Sequence, residues 1–594
     1  MNDTGTARYR PLNPLTLYLL AVLIGVIAGL GAVGFRALIA IFHNLLFLGK
    51  FSVAYDANLH TPASPWGPFV ILVPVLGALA VAFLVQNFAP EAKGHGVPEV
   101  VDAIYYQKGH IRPGVAVIKA FASAISIGSG GAIGREGPII QIGSSFGSTM
   151  GQILRLPIWQ RITLIAAGAG GGIAATFNTP IGGLLFAIEI VIHELSVRTL
   201  VPVAISTATA TYVGRLFFGL HPSFVIPSLE VPYFDLSGSN PLVLIAYAIL
   251  GIILGVVSTL YIKSIYAFED FFEKRIKQSY YLRHMAGMLL VGIIFYILLR
   301  VSGHYYVEGV GYATVQDVLS GKLTFIPFLL LLFVLKLFVT SVTLGSGASG
   351  GVFSPALFLG ATLGGSYGIF LKWLIPHLTT SPVAFAVAGM AGVVGGSTGA
   401  AMAAIVMIFE MTLDYSVIIP MTITVALSYG IRRNLLEESI YTLKLVRRGH
   451  YIPGMLQANT FYLRRAKEIM DPNISFLPPT TTWGEFAETV ADQNECSWFV
   501  VGDDQTLIGV LSRDAGIRAT RLSGKQTPLG SIASQEYITI TADATVFTIL
   551  TRMQLGRASV ALVTRDGENH SIQGIITKEC LTDSIVDAIE LFSD

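Results

Sequence analysis

The run GSGGAIGREGP at 128–138 carries one carboxylate, Glu136, between two apolar stretches. Bare backbone N–H groups at a helix start attract anions, so a glycine-rich run of this kind reads as an anion-binding device. A carboxylate there is itself an anion, held until a proton or a free anion displaces it. The run GSGASGGVFSP at 345–355 repeats the glycine framework in the second half of the chain, without the carboxylate. A third segment, GHGVPEV at 94–100, also places glycine before a proline at the edge of an apolar stretch. Proline is tolerated in a first helical turn, so all three read as helix N-termini, which attract a small anion by partial charge without trapping it.

Other chemistries fit these residues less well. Gly128–Arg135 lacks the Lys-Ser/Thr ending of a phosphate-binding P-loop. GASGG at 347–351 matches the nucleophile pattern G-x-S-x-G through Ser349, but no strand pattern precedes it and no histidine is near in sequence. An intramembrane serine hydrolase is therefore an alternative of another class.

The elements that must position these motifs are membrane helices. The chain has 594 residues, 53% hydrophobic and only 13% charged, which excludes an ordinary soluble domain. Residues 1–450 hold 46 Asp, Glu, Lys and Arg, and the much shorter remainder holds 29. A membrane domain over 1–450 followed by a soluble domain over 455–594 accounts for that shift. Apolar runs at 17–35, 69–85, 241–262, 284–299 and 325–344 approach the ~20 residues of a spanning helix. Between them, stretches such as AAGAGGGIAATFNTPIGGLLFAIEI at 166–190 are broken by glycine and proline. Broken helices at membrane depth mark a buried site or a cavity, above all when they recur in two halves. They recur here: LFAIEI and MIFEM each place one glutamate, Glu189 or Glu410, after an apolar segment, at nearly the spacing of the glycine runs. Close helix packing by small residues would explain the glycines but not this shared order. We therefore read two repeats, about 1–225 and 240–450.

A net charge of +1 argues against a nucleic-acid partner. Cys496 and Cys580, the only cysteines, lie in the soluble tail and suggest a reducing compartment. The polar start leads into an apolar run that reads as retained rather than cleaved, and Arg8 and Arg10 favour a cytoplasmic N-terminus. The tail has its own repeat, IGVLSRD at 508–514 and QGIITKE at 573–579, each after a β-rich run and a helix-like segment.

GREGP and GGVFSP at this separation, followed by FEMTLDYSVIIP and IYTLKL, resemble the chloride channel and antiporter (CLC) family, with paired CBS domains at the C-terminus. The resemblance covers nearly the whole chain. It implies an all-α polytopic membrane domain of inverted repeats with tilted, broken helices, followed by an α/β CBS pair at about 465–522 and 526–590. It implies a homodimer in the lipid bilayer, with one anion pathway per subunit, in a bacterial inner membrane with both termini cytoplasmic. The implied function is transport of chloride or a similar small anion in exchange for protons, with no metal and no cofactor. A passive voltage- or pH-gated channel of the same fold is the alternative.

Carried over residue by residue, the resemblance makes Glu136 the gating and proton-accepting glutamate. The backbone of Gly351, Val352 and Phe353, with the Tyr441 hydroxyl, would hold the anion; Gly96 and Arg135 would contribute. Lys119, seventeen residues before Glu136, would raise the local potential or serve as a structural lysine. Two positions depart from the family pattern. His95 stands where the family usually has an anion-contacting serine; a histidine can donate through a ring N–H. Ile190 stands where many exchangers carry an inner proton-transfer glutamate, leaving Glu189, His193 and Glu194 as a possible proton path. In the tail, Ser512 and Thr577 match nucleotide-contact positions of CBS pairs. The ribose-binding aspartate three residues on is replaced by Ala515 and Cys580, so nucleotide binding there is expected to be weak or absent.

Overall fold

The computed structural model describes residues 11–193, 196–220, 223–226, 242–277, 279–376, 381–452, 464–486, 498–503, 506–512, 526–565 and 572–582. The chain divides into two compact units, Met1–Arg448 and Gly449–Asp594.

The first unit is helical. Its first half runs α1 (Pro14–Leu48), α2 (Val73–Phe88), α3 (Val97–Tyr106), α4 (Gly114–Gly128), α5 (Glu136–Ile153), α6 (Ile158–Phe177), α7 (Pro180–Phe186) and α8 (Val197–Phe218). Its second half runs α9 (Leu242–Arg275), α10 (Tyr280–Ser302), α11 (Tyr312–Leu319), α12 (Ile326–Ser346), α13 (Phe353–Leu374), α14 (Pro382–Thr398), α15 (Ala401–Thr412), α16 (Ile418–Leu435) and α17 (Thr442–Val446). Among the described residues, eight helices are long and apolar enough to cross a membrane. The stretch at 166–190 is broken: α6 ends at an αL Asn178, Pro180 opens α7, and the chain closes in a wide π turn at Ala187–Ile192. An αL residue stops a helix by misaligning its next hydrogen bond, and a proline restarts one where no donor is needed.

Packing follows the repeat read in the sequence. α5 lies against α6, and α13 against α14. In each pair two glycines let the backbones touch. A Cβ at Gly143 would meet the Gly168 carbonyl and one at Gly168 the Gly143 carbonyl, and Gly360 and Gly389 stand in the same relation. The step from Gly143 to Gly360 is the one that separates the glycine runs, and the step from Gly168 to Gly389 is the one that separates Glu189 from Glu410. Small residues thus serve close packing as well as marking the repeat.

Polar contacts repeat too. Lys119 Nζ donates to the Ala92 and Gly94 carbonyls at 2.9 and 2.8 Å, and Lys336 Nζ donates to Val307 and Gly309 at 2.9 and 2.8 Å. The Glu189 carboxylate accepts from the Met402 and Ala403 N–H groups at the start of α15. Glu410 accepts from Ile181 and Gly182 at the start of α7. Each glutamate caps the helix of the other half, so a local two-fold relates the halves. A carboxylate at a helix start satisfies N–H groups that have no intrahelical acceptor.

The second unit holds two matching sheets. In one, β1 (Ser475–Leu477) pairs parallel with β2 (Trp498–Asp503), which pairs antiparallel with β3 (Thr506–Ser512). In the other, β4 (Tyr537–Thr541), β5 (Val560–Thr564) and β6 (Ile572–Ile576) follow the same pattern, with α18 (Val546–Leu555) between β4 and β5. Val500 and Val510 of the first sheet share a buried cluster with Val560, Leu562 and Ile575 of the second. The tail repeat read from sequence is thus a pair of αβ modules with a common core.

Candidate functional site

Three helix starts converge where the glycine runs meet. Gly134 and Gly351 exchange two backbone hydrogen bonds, at 2.7 and 2.6 Å, in an antiparallel bridge. They occupy equivalent positions in the two glycine runs, so the bridge lies on the two-fold itself. α5 begins two residues after Gly134 and α13 two residues after Gly351. The loop before α3 is stitched on by Gly94 N–H to the Ala348 carbonyl and Gly350 N–H to the Gly94 carbonyl, at 3.0 and 3.2 Å. The join admits no side chains. A Cβ at Gly137 would run into the His95 carbonyl and crowd Gly351 Cα, and Gly96 sits at φ 86° against the Gly137 carbonyl. Glycine is needed here because only bare backbone allows the three starts to touch.

Glu136 is the first residue of α5 and is fully enclosed at 2% exposure. Its Oε1 accepts from the Ser354 hydroxyl and from the Tyr312 hydroxyl, the latter at 3.3 Å. The two hydroxyls also lie within 2.7 Å of each other. Oε2 has no hydrogen-bond partner and faces the glycine join. The carboxylate therefore sits among helix N-termini, held on one oxygen by two hydroxyls. A hydrogen bond to an ionised group contributes ~1.5–3 kcal/mol, so two of them hold the side chain firmly yet reversibly.

Val352 and Phe353 are buried at the α13 start, whose first N–H groups have no intrahelical acceptor. The Val352 carbonyl accepts from Tyr261 at 2.8 Å. Tyr441, at the N-cap of α17, is buried at 3% exposure and meets Phe186 edge-on. Its neighbour Ile440 accepts from the Tyr266 hydroxyl at 2.7 Å, and the Tyr266 ring stands edge-on to His95. His95 is buried with its Nδ1 unpartnered. Beyond Tyr441, Lys444 and Arg448 pair with Glu99 of α3 at 3.2 and 2.8 Å, and Arg447 pairs with Asp270 of α9. These pairs tie the short α17 to both helices that flank His95.

The other sequence-predicted residues fall further out. Arg135 turns from the join, and its guanidinium lies over the Phe177 and Tyr312 rings at 5.5 and 5.2 Å. Lys119 is buried on carbonyls of the α3 approach. Ile190 is buried in the π turn, and His193 follows it at φ 51° with its ring edge-on to Tyr105. Glu194 and Ala515 lie outside the described residues. Ser349 donates to the Ala92 carbonyl at 2.6 Å and lies 2.9 Å from the Ser123 hydroxyl, so its hydroxyl is engaged by backbone and serine rather than by a histidine base. In the tail, Ser512 closes β3, and Thr577 Oγ1 accepts from the Cys580 N–H.

Two residues of the site, and one lysine of the scaffold behind it, escaped the sequence reading. Ser354 and Tyr312 bond a carboxylate that is distant in the chain, and no local pattern announces that. Lys336 did carry a signal: it stands to Lys119 as the second glycine run stands to the first.

A family model described as voltage gated chloride channel matches residues 77–433, and a CBS domain model matches 466–520 and 529–587. The chain is 33% identical over 429 residues to a putative chloride channel protein ClcB-like of Ralstonia nicotianae, covering 71% of this chain and 96% of that one. It is 32% identical over 419 residues to an H(+)/Cl(-) exchange transporter ClcA of Vibrio vulnificus, covering 69% and 85%. Its fold is similar to the crystal structure of a slow cyanobacterial Cl-/H+ antiporter, with a TM-score of 0.62 and 24% identity over 73% of this chain and 97% of that one.

Proposed function

The chain belongs to the voltage-gated chloride channel family, with a CBS pair at its C-terminal end, and from that premise we propose that it exchanges chloride or a similar small anion for protons, with Glu136 as the group that trades one for the other. It is a multi-pass integral membrane protein. The observation that carries the exchange reading is the enclosure of Glu136 among helix starts, bonded on one oxygen and free on the other. A carboxylate so placed occupies the position an anion would take, and protonation removes its charge and its competition. A simple pore needs no such acid.

Val352, Phe353 and Tyr441 line the anion's resting place in this reading, and His95 adds a ring donor through its unpartnered Nδ1. His95→Ser should therefore change the order of anion preference, measured as relative fluxes of chloride, nitrate and fluoride; an unchanged order would make His95 a space-filler. Ile190 cannot relay a proton, so the inner leg of the proton route passes other groups, with Glu189, His193 and Glu194 the titratable residues nearest in sequence and Glu189 engaged at the start of α15. The protein works as a dimer with one path per subunit, and its tail binds adenine nucleotides weakly or not at all. Micromolar binding of ATP or AMP to the full chain would overturn that last point.

The test is reconstituted anion flux. Wild-type vesicles should carry chloride with a component driven by a pH gradient, and Glu136→Ala should carry chloride passively with that component gone. Loss of all chloride flux in a folded Glu136→Ala protein would show that the carboxylate is needed for passage rather than blocking it.

A further inference from the structure

A polar cavity of about 320 Å³ opens beside the glycine join, lined by Arg36 of α1, Arg135, Arg215 of α8, Asn58, Asn178 and Tyr312. Three arginines from three separate elements line one space. Among the described residues none of them is ion-paired with a carboxylate. Arg36 lies over the Phe218 ring at 4.4 Å, Arg135 lies over Phe177 and Tyr312, and Arg215 Nε donates to Asn178 Oδ1 at 2.6 Å. Arg135 is 9% exposed, its Nε has no partner, and it makes a long 3.5 Å bond to the Thr176 carbonyl. The cavity holds one carboxylate, Asp56, whose Oδ1 accepts from the Asn58 N–H in its own loop. The local balance is positive by two charges, three arginines against one aspartate.

An excess of positive charge around a cavity raises the local potential and favours an anion that joins it. The donor set narrows the class of anion. Guanidinium groups are planar forks that match the paired oxygens of an oxyanion, whereas a spherical halide uses only one prong. The volume, about 320 Å³, is ample for a small oxyanion with part of its hydration water. We propose that this cavity is a second anion site, selective for small oxyanions such as sulfate, phosphate or bicarbonate and distinct from the site among the helix starts. Tyr312 forms its wall toward Glu136, with the ring under Arg135 and the hydroxyl 3.3 Å from the carboxylate. An oxyanion bound there sits one side chain away from Glu136. The proposal goes beyond the exchange reading and does not depend on it.

The test is calorimetric titration of sulfate into the purified full-length chain at constant ionic strength, with chloride titrated separately. Wild type should bind sulfate, and Arg36→Gln with Arg215→Gln should weaken it by about tenfold or more, as expected for two lost charge-assisted contacts, with chloride affinity unchanged. Arg36→Lys with Arg215→Lys keeps the charge and loses the forks, and its sulfate affinity should fall between the two. If the double glutamine variant is not monodisperse, Arg215→Gln alone carries the test and should weaken sulfate severalfold. Absence of sulfate binding by wild type, or a glutamine variant that binds it as wild type does, would overturn the proposal. A chloride affinity that fell in step with sulfate would show a single shared site and overturn it equally.

Discussion

The two halves of the membrane unit keep their scaffold alike and differ where α5 and α13 begin. Lys119 and Lys336 each bond two carbonyls at the same distances, and Glu189 and Glu410 each cap the other half's helix. Serine and threonine follow suit: Ser123 lies 2.9 Å from Ser349, and Thr340 donates to the Ala132 carbonyl at 2.8 Å. Ser123 and Thr340 are equivalent positions of the two repeats, as are Ala132 and Ser349. At the first position of α5 stands Glu136, and at the equivalent position of α13 stands Phe353. Where the two-fold is obeyed, residues hold the backbone together. Where it is broken, a titratable group meets an apolar one beside the same join.

That comparison can be attacked first through the lysines. Lys336→Met takes the ammonium donor from the Val307 and Gly309 carbonyls, at ~1–3 kcal/mol per group, whereas after Lys119→Met the Ala92 and Gly94 carbonyls keep the Ser349 hydroxyl and the Gly350 N–H as donors. Lys336→Met should lower stability by about 2–5 kcal/mol and Lys119→Met by a smaller amount, read as loss of the folded protein in a denaturant or thermal series in detergent. A loss at one lysine and none at the other would break the equivalence of the halves.

Ser354→Ala addresses the asymmetry. It removes one hydroxyl donor from Glu136 while leaving Tyr312 in place. A charge-assisted hydrogen bond of ~1.5 kcal/mol corresponds to about tenfold. Chloride should then displace the carboxylate at about tenfold lower concentration, measured by calorimetry on the full chain. Thr340→Val, on the scaffold side of the comparison, should leave chloride affinity within about twofold, since its hydroxyl bonds only backbone.

The smallest effect belongs to the tail. The Lys467 ammonium and the Arg465 guanidinium, both bonded to Asp543, hold its carboxyl below the usual carboxylate range. A depressed carboxylate contributes stability that is present above its unfolded value near ~4 and lost as pH falls through the folded value. The group is largely exposed, so the contribution lies within the ~0–1 kcal/mol of surface pairs. Asp543→Asn should slightly speed hydrogen exchange of β4 in the full chain at neutral pH and have no effect once acid has protonated the carboxyl. A larger effect in acid would reverse the sign argued here.

Much of the scaffold was legible in the sequence because a repeat writes its geometry twice. The spacings that mark the glycine runs and the two glutamates also govern the crossings at Gly143–Gly168 and Gly360–Gly389. The break at Asn178–Pro180 was legible from proline chemistry. The surroundings of Glu136 were not. Ser354 lies inside a motif that draws attention to its backbone, and Tyr312 opens a short helix that no apolar run announces. Their hydroxyls reach the carboxylate only because the two-fold brings α5, α11 and α13 together. The cavity was hidden for the same reason, since Arg36 belongs to α1, Arg135 to the start of α5 and Arg215 to α8, far apart along the chain.

If Glu136 trades a proton for an anion, chloride movement and proton movement are linked, and simultaneous recording of the two decides between exchange and passive conduction. Wild-type vesicles with a chloride gradient and no initial pH difference, monitored for chloride and pH together, should drive protons against their gradient, and Glu136→Gln vesicles should move chloride alone. Chloride flux in wild type with no accompanying proton movement would contradict the account and leave a passive anion path.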